Sequence, residues 1–217
     1  MYKRHDLVWL TRDGWKAALA AHPEHATVLT FWQSEEWPTV ARRRDAGSDP
    51  AREVCVGIAL PPDADGVKRR IPLRIPLENV DRSSAPLTLK AARPGLPEQW
   101  RAGYTKLQEQ SLGLDLRVYG SLAWQAITSL PAVTATSDID ILFRPLSRQQ
   151  LHAGLTLLNG AEHGLPLDGE VMFPSGQAVS WKEWSTAGTA QARVLVKDMD
   201  GVRLADPDEL FSTLRIA

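Results

Sequence analysis

The chain has 217 residues, enough for one large or two small domains with a buried core, and its 43% hydrophobic and 24% charged residues are those of an ordinary globular protein. A formal net charge of −1 argues against a general nucleic-acid binder, which would be basic overall. The single cysteine, Cys55, excludes an internal disulfide, and no apolar run approaches the roughly 20 residues of a membrane helix. With no N-terminal signal pattern, a cytoplasmic protein without a membrane partner is expected.

The charged opening Lys3-Arg4-His5-Asp6 runs into an apolar strand pattern, Leu7-Val8-Trp9-Leu10, and Thr11 is placed to cap a short helix with Trp15 and Leu19 on one face. His5 beside Asp6 has the composition of an acid/base pair and equally of a structural hydrogen bond, while His22 and His25 fall in a polar turn. Arg42-Arg43-Arg44 on an extended segment must point to both faces, so at least one can look into a cleft; the alternative is a solvated rim. From Val54 to Leu60 the apolar residues alternate with small ones, and Cys55 in that run reads as a buried small residue rather than a nucleophile. After the turn Pro61 to Gly66, the segment Lys68 to Pro76 alternates again, and its prolines confine it to a sheet edge. Residues 1–92 therefore read as a small β-rich domain with 14 Lys and Arg against 12 Asp and Glu. Its Arg-rich strands make Arg43 and Arg70 candidate phosphate contacts.

Ala91 to Gly95 reads as a linker into a second domain, residues 93–217, with 11 Lys and Arg against 14 Asp and Glu. Leu96 to Leu112 has helical spacing with Pro97 in its first turn and Gly113 as its stop. A strand from Leu114 to Tyr119 then ends in Gly120-Ser121, a tight turn at a helix start whose backbone N–H groups suit phosphate oxygens. The next strand, Asp138-Ile139-Asp140-Ile141-Leu142-Phe143, puts Asp138 and Asp140 on one face about 6–7 Å apart, with the isoleucines facing the core. Two such carboxylates repel unless a cation lies between them, and hard oxygen ligands suit Mg²⁺. Ser147-x-x-Gln150 is a capping box for a helix with Leu151, Leu155 and Leu158, and Leu167 to Phe173 reads as another strand. Ala178 to Trp184 leads into a helix whose Lys182 is in reach of a phosphate and whose Trp181 and Trp184 suit core and cleft wall. Ala192 to Lys197 and the turn Asp198 to Gly201 form a hairpin in which Asp198 and Asp200 are turn residues, and Asp206 caps a last helix. This β-α-β-α order argues for an α/β sheet in the second domain, so the fold class expected for the whole chain is mixed α+β and α/β.

The order strand, Gly120-Ser121, helix, strand with Asp138-x-Asp140 resembles the active-site signature of the polymerase-β-like nucleotidyltransferases. That resemblance implies a nucleotidyltransferase-type mixed sheet flanked by helices, with Asp138 and Asp140 as ligands of two Mg²⁺ ions and the Gly-Ser turn on the donor's phosphates. It also implies a third acid between apolar residues on a neighbouring strand, and Glu170 before Val171-Met172 fits that position better than Asp168 before Gly169. One departure is the sixteen residues between Ser121 and Asp138, which require a longer loop over Pro131 to Ser137. Taken together with Arg4-His5-Asp6-Leu7-Val8-Trp9-Leu10, the triple-Arg segment, the Lys68-Arg69-Arg70 strand and Gly120-Ser121-Leu122-Ala123-Trp124-Gln125-Ala126, the chain resembles the malonate decarboxylase holo-acyl carrier protein synthases, or phosphoribosyl-dephospho-CoA transferases. The resemblance spans nearly the whole chain. It implies a transferase that moves a phosphoribosyl-dephospho-CoA group from a triphosphoribosyl-dephospho-CoA donor to a serine of the decarboxylase's acyl carrier protein, releasing diphosphate. Two other readings fit the motifs: the same chemistry on another acceptor, or a non-catalytic binding module of the same fold.

Overall fold

The computed structural model describes residues 2–63, 65–160, 163–187 and 193–216, in two compact units, Met1–Pro86 and Leu87–Ala217. The first is built on β1 (Leu7–Leu10), α1 (Arg12–Ala21), α2 (Ala26–Ser34), β2 (Thr39–Ala41), β3 (Glu53–Ala59), β4 (Arg70–Pro76) and β5 (Val80–Ser84). Thr11 Oγ1 accepts the Gly14 N–H at 3.0 Å and starts α1 as its sequence requires. The strands pair antiparallel in the order β4-β3-β2-β1-β5, and Ile71, Leu73 and Ile75 of β4 meet Ile58, Val56 and Val54 of β3 in a buried layer. Pro72 and Pro76 sit on β4, a sheet edge, where the missing N–H breaks no ladder.

Helix α2 has no clear signal in the sequence, because its Thr, Val, Phe and Trp residues are indifferent helix formers. Tertiary packing supplies what propensity lacks. Trp32 is fully buried, its indole N–H donates to the Pro38 carbonyl at 2.9 Å, and its ring meets Trp37 edge-on at 4.9 Å.

The second unit contains β6 (Leu87–Thr88), α3 (Leu89–Ala92), α4 (Arg101–Gln110), β7 (Leu116–Tyr119), α5 (Gly120–Thr128), β8 (Ile139–Phe143) and α6 (Arg148–Asn159). It continues through β9 (Leu167–Met172), β10 (Ala178–Ser180), α7 (Trp181–Thr186), β11 (Val194–Lys197), β12 (Val202–Ala205) and α8 (Pro207–Phe211). Ala192, read as the start of a strand, lies outside the described residues. The stretch Ala91 to Gly95, read as a linker, is instead the end of α3 and a 3₁₀ turn inside this unit. The seven strands run in sequence order from β12 to β6 across one sheet. One face carries Ile139, Ile141, Phe143 and Val171, buried with Tyr104, Leu107, Leu122, Leu151, Leu158 and Trp181 of the helices.

The alternation of strands and helices argued for an α/β sheet; among the described residues the sheet is mixed, with β8 and β9 its one parallel pair of strands, so the fold is α+β. Helix α5 intervenes between β7 and β8 without producing a crossover, because the excursion leaves and rejoins the sheet at the same end: Tyr119 is paired with Asp140. Among the described residues no helix is long and apolar enough to cross a membrane.

In the first unit the Arg42 guanidinium grips Asp45 through two bonds, at 2.5 and 2.6 Å, and so holds the Asp45 carboxyl below its ordinary value of 3.8. A depressed folded pKa stabilises at pH above the ordinary value, and that contribution is lost as pH falls through the folded one. Because Asp45 is about two-fifths exposed, solvent limits the effect to a fraction of about 1 kcal/mol. Asp45→Asn is expected to lower the melting temperature slightly at pH 7 and to converge with the parent as the pH falls well below the ordinary value of 3.8, as thermal melts across that range would show.

Candidate active site

Strand β7 delivers the chain to Gly120 with φ of +67°, a left-handed conformation natural to glycine, and α5 starts there. A Cβ at this position would lie 1.8 Å from Asp140 Oδ2, so the Asp140 carboxylate occupies the space a side chain would take. The acid thus rests on the first turn of α5, where unpaired N–H groups and the helix dipole favour negative charge. Ser121 follows in that turn and is partly buried. Asp138, one residue before β8, is exposed, and Asp140 is half-buried. Between them Ile139 is fully buried and its N–H donates to the Pro166 carbonyl at 2.8 Å, which fixes the strand entrance.

The parallel register of β8 and β9 pairs Asp140 with Asp168 and Leu142 with Glu170, on the face opposite the helical core. Gly169 between the two acids has φ of +135°, and a Cβ there would meet the Ile141 carbonyl oxygen at 1.9 Å. Glycine alone permits this approach, and Asp168-Gly169-Glu170 lies inside the strand, as the sequence reading of Leu167 to Phe173 expects. Asp168 is half-exposed and ion-paired with Lys182 Nζ at 3.2 Å. Glu170 is 4% exposed and receives Lys197 Nζ at 3.0 Å, a partner that pairwise sequence spacing gives no means of finding. Ser180 lies opposite Glu170 on β10, and Leu142, Met172 and Ala178 bury together on the same face.

The structure therefore brings Gly120, Ser121, Asp140, Asp168 and Lys182 to one sheet end, with Asp138 at its lip. Arg43 and Arg70 lie in the other unit, both exposed, and neither makes an ion pair among the described residues. Their neighbours are engaged: Arg42 with Asp45, Arg69 with Asp63 at 3.4 Å, Arg74 with Glu53. Cys55 is buried, and Asp198 Oδ1 accepts the N–H groups of Asp200 and Gly201 at 2.8 Å, which makes it a turn former. Among the described residues no three His, Cys, Asp or Glu side chains are grouped as ligands of one metal ion. Two carboxylates of a cradled strand still fit Mg²⁺, which takes one or two carboxylates and completes its shell with water and substrate phosphates.

Residues 3–86 match the model of the phosphoribosyl-dephospho-CoA transferase MdcG N-terminal domain, and residues 88–208 match that of the corresponding C-terminal domain. The chain belongs to the phosphoribosyl-dephospho-CoA transferase family. A phosphoribosyl-dephospho-CoA transferase of Xanthomonas campestris is 41% identical, with 97% of both chains covered. One from Bradyrhizobium diazoefficiens is 37% identical over 96% of this chain and 92% of its own, and one from Pseudomonas putida strain W619 is 31% identical over 95% of each. No solved structure matches. The family's two domain models meet where the two units do, between β5 and β6.

Gly120→Ala is expected to displace the Asp140 carboxylate and to strain the backbone by about 1–2 kcal/mol. A melting temperature lowered by several degrees together with loss of turnover is the expected outcome; full activity would show that the carboxylate position is unimportant.

Proposed function

We propose that this transferase moves the 2′-(5″-phosphoribosyl)-3′-dephospho-CoA group from its triphosphate donor to a serine of the acyl carrier protein of malonate decarboxylase, in a nucleotidyltransferase-type site. The observation that carries the reading is the Asp140 carboxylate seated on the Gly120 turn, in a chain matched along its length by the phosphoribosyl-dephospho-CoA transferases. Diphosphate release follows from the chemistry of such a donor. The carrier serine oxygen bonds to the α-phosphorus as the bond to the bridging oxygen breaks, and that electron pair leaves with diphosphate. A carboxylate of the group accepts the hydroxyl proton, and the first-turn N–H groups at Gly120 and Ser121 hold the phosphate oxygens. Lys182, displaced from Asp168 by the incoming donor, would take a phosphate oxygen in its place. Asp138 and Asp140 would hold Mg²⁺, which when bound lends positive charge to the phosphates and leaving group.

For the third acid, register and exposure favour Asp168, across from Asp140, over Glu170, which is buried with Lys197. Asp138→Asn and Asp140→Asn are each expected to abolish transfer to apo carrier protein, read by intact-mass spectrometry with Mg²⁺ present, while both variants keep their fold. Asp168→Asn should slow turnover with little change in melting temperature. Glu170→Gln, which breaks a buried pair, should cost about 1–3 kcal/mol of stability. The reverse pattern would return the catalytic role to Glu170.

Arg43 and Arg70 are candidates for the donor's phosphates or for an acidic carrier surface. If they serve the carrier, Arg43→Ala and Arg70→Ala should raise its KM and weaken its salt dependence, since exposed charges are screened over about 10 Å at 0.1 M salt. If they serve the donor, its KM should rise instead; constants unchanged for both substrates would reduce these arginines to solvated rim.

A further inference from the structure

The sheet face that carries Asp140 also carries a pair of arginines. Side chains alternate along β7, with Leu116 and Val118 in the helical core, so Arg117 shares the opposite face with Tyr119, the partner of Asp140. Arg117 is itself paired with Leu142, two residues along β8 from Asp140, and such a diagonal neighbour lies about 7–8 Å away. Arg144 follows the end of β8, and its N–H donates to the Asp115 carbonyl at 3.0 Å, which holds it beside the start of β7. Asp115 receives Arg117 Nε on Oδ1 at 2.5 Å and lies 3.8 Å from Arg144 Nε through Oδ2.

Two guanidiniums thus share one carboxylate, whereas Lys182 and Lys197 on the same face each meet an acid of their own. The arginine cluster therefore keeps an excess of positive charge. Each arginine turns its Nε to Asp115, and among the described residues the terminal guanidinium nitrogens of both make no hydrogen bond, yet none of them is buried. The side chains are 28% and 26% exposed, so the open ends of two planar forks stand at the surface on partly sheltered stems. That arrangement suits a phosphate, which a guanidinium grips through two parallel bonds. The donor proposed above brings two polyphosphate groups: the reacting triphosphate, and the bridging diphosphate of its dephospho-CoA moiety, with two ribose rings between them. The first belongs at the Gly120 turn. The second needs cations a short way off on the same face, where Arg117 stands diagonally from Asp140 and Arg144 lies four residues along the chain from it, about 13 Å in extended backbone.

We propose that Arg117 and Arg144 bind the bridging diphosphate of the dephospho-CoA moiety, and this rests on the donor proposed above. Dephospho-CoA, which has that diphosphate and no triphosphate, is the probe. Arg117→Gln and Arg144→Gln should each weaken its binding to the full chain by about tenfold, the worth of a hydrogen bond to a charged group, and should flatten its salt dependence. In turnover the donor's KM should rise with kcat and the carrier's KM little changed. On the parent chain dephospho-CoA should shield both arginines from phenylglyoxal, read by peptide mass, and adenosine should not. Arginines left unshielded, or a dissociation constant unchanged in both variants, overturn the proposal, and the shielding decides it even if the variants fold poorly. A rise in the carrier's KM alone would give the arginines to the carrier protein, and a rise in the donor's KM with dephospho-CoA affinity unchanged would give them to the triphosphate; either result also overturns it. Transfer measured in parallel separates the two readings. Dephospho-CoA held by these arginines in a chain that transfers nothing would sink the reaction alone, whereas transfer with both arginines unshielded would sink the diphosphate site alone.

Discussion

The carboxylate of Asp140 fills the space of a missing side chain at residue 120, and the working end of the second unit depends on that contact. It fixes three things at once. The left-handed glycine turns β7 directly into α5, so the helix starts against the acid rather than beyond it. A carboxylate in that place gains about 0.3–1 kcal/mol from the helix terminus. The strand register then follows, since Tyr119 must lie across from Asp140 for the turn to reach it, and the parallel pairing with β9 brings Asp168 to the same row.

That row would be self-repelling if it held acids alone. The structure answers with two lysines placed in different solvent. Lys182 meets Asp168 where both are roughly half-exposed, and such a pair is worth at most about 1 kcal/mol. An incoming phosphate can displace it at little cost. Lys197 meets a Glu170 that water barely reaches, and losing the lysine would strand a buried carboxylate. The first pair is therefore the more exchangeable of the two, whereas the second ties β9 to β11 across β10.

Much of this was legible in the sequence, because local chemistry set it. The Asp-Ile-Asp-Ile alternation gives both the facing of the acids and the burial of the isoleucines. Thr11, Ser147 and Asp206 cap the helices their spacing announces, with Ser147 Oγ accepting the Gln150 N–H at 3.2 Å. The prolines of β4 mark an edge. What stayed hidden depended on long-range pairing. Nothing in Gly120 to Asp140 distinguishes an antiparallel return from a crossover, and nothing near Glu170 names Lys197, 27 residues away. Gly169 does not break the strand expected from Leu167 to Phe173: Asp-Gly normally signals a turn, and here the glycine serves a close backbone approach inside a strand.

The long connection from α5 to β8 shows how a departure in loop length is absorbed. Sixteen residues separate Ser121 from Asp138, and a floppy segment of that length would leave the outer acid unplaced. Gln125 prevents this from within the helix. Its Oε1 accepts the N–H groups of Ala132 and Val133 at 3.1 and 3.0 Å, and its Nε2 donates to the Gly95 carbonyl at 2.7 Å. Nearer the strand, Ser137 Oγ accepts the Thr134 N–H at 2.9 Å and Ser137 N–H returns a bond to the Thr134 carbonyl. Doubling a loop costs only about 0.6 kcal/mol in closure entropy, whereas each of these hydrogen bonds contributes about 1 kcal/mol net. The longer loop is thus held more firmly than its length suggests. Asp138 owes its place at the lip of the site to a glutamine thirteen positions earlier, on the same helix whose first turn supports Asp140.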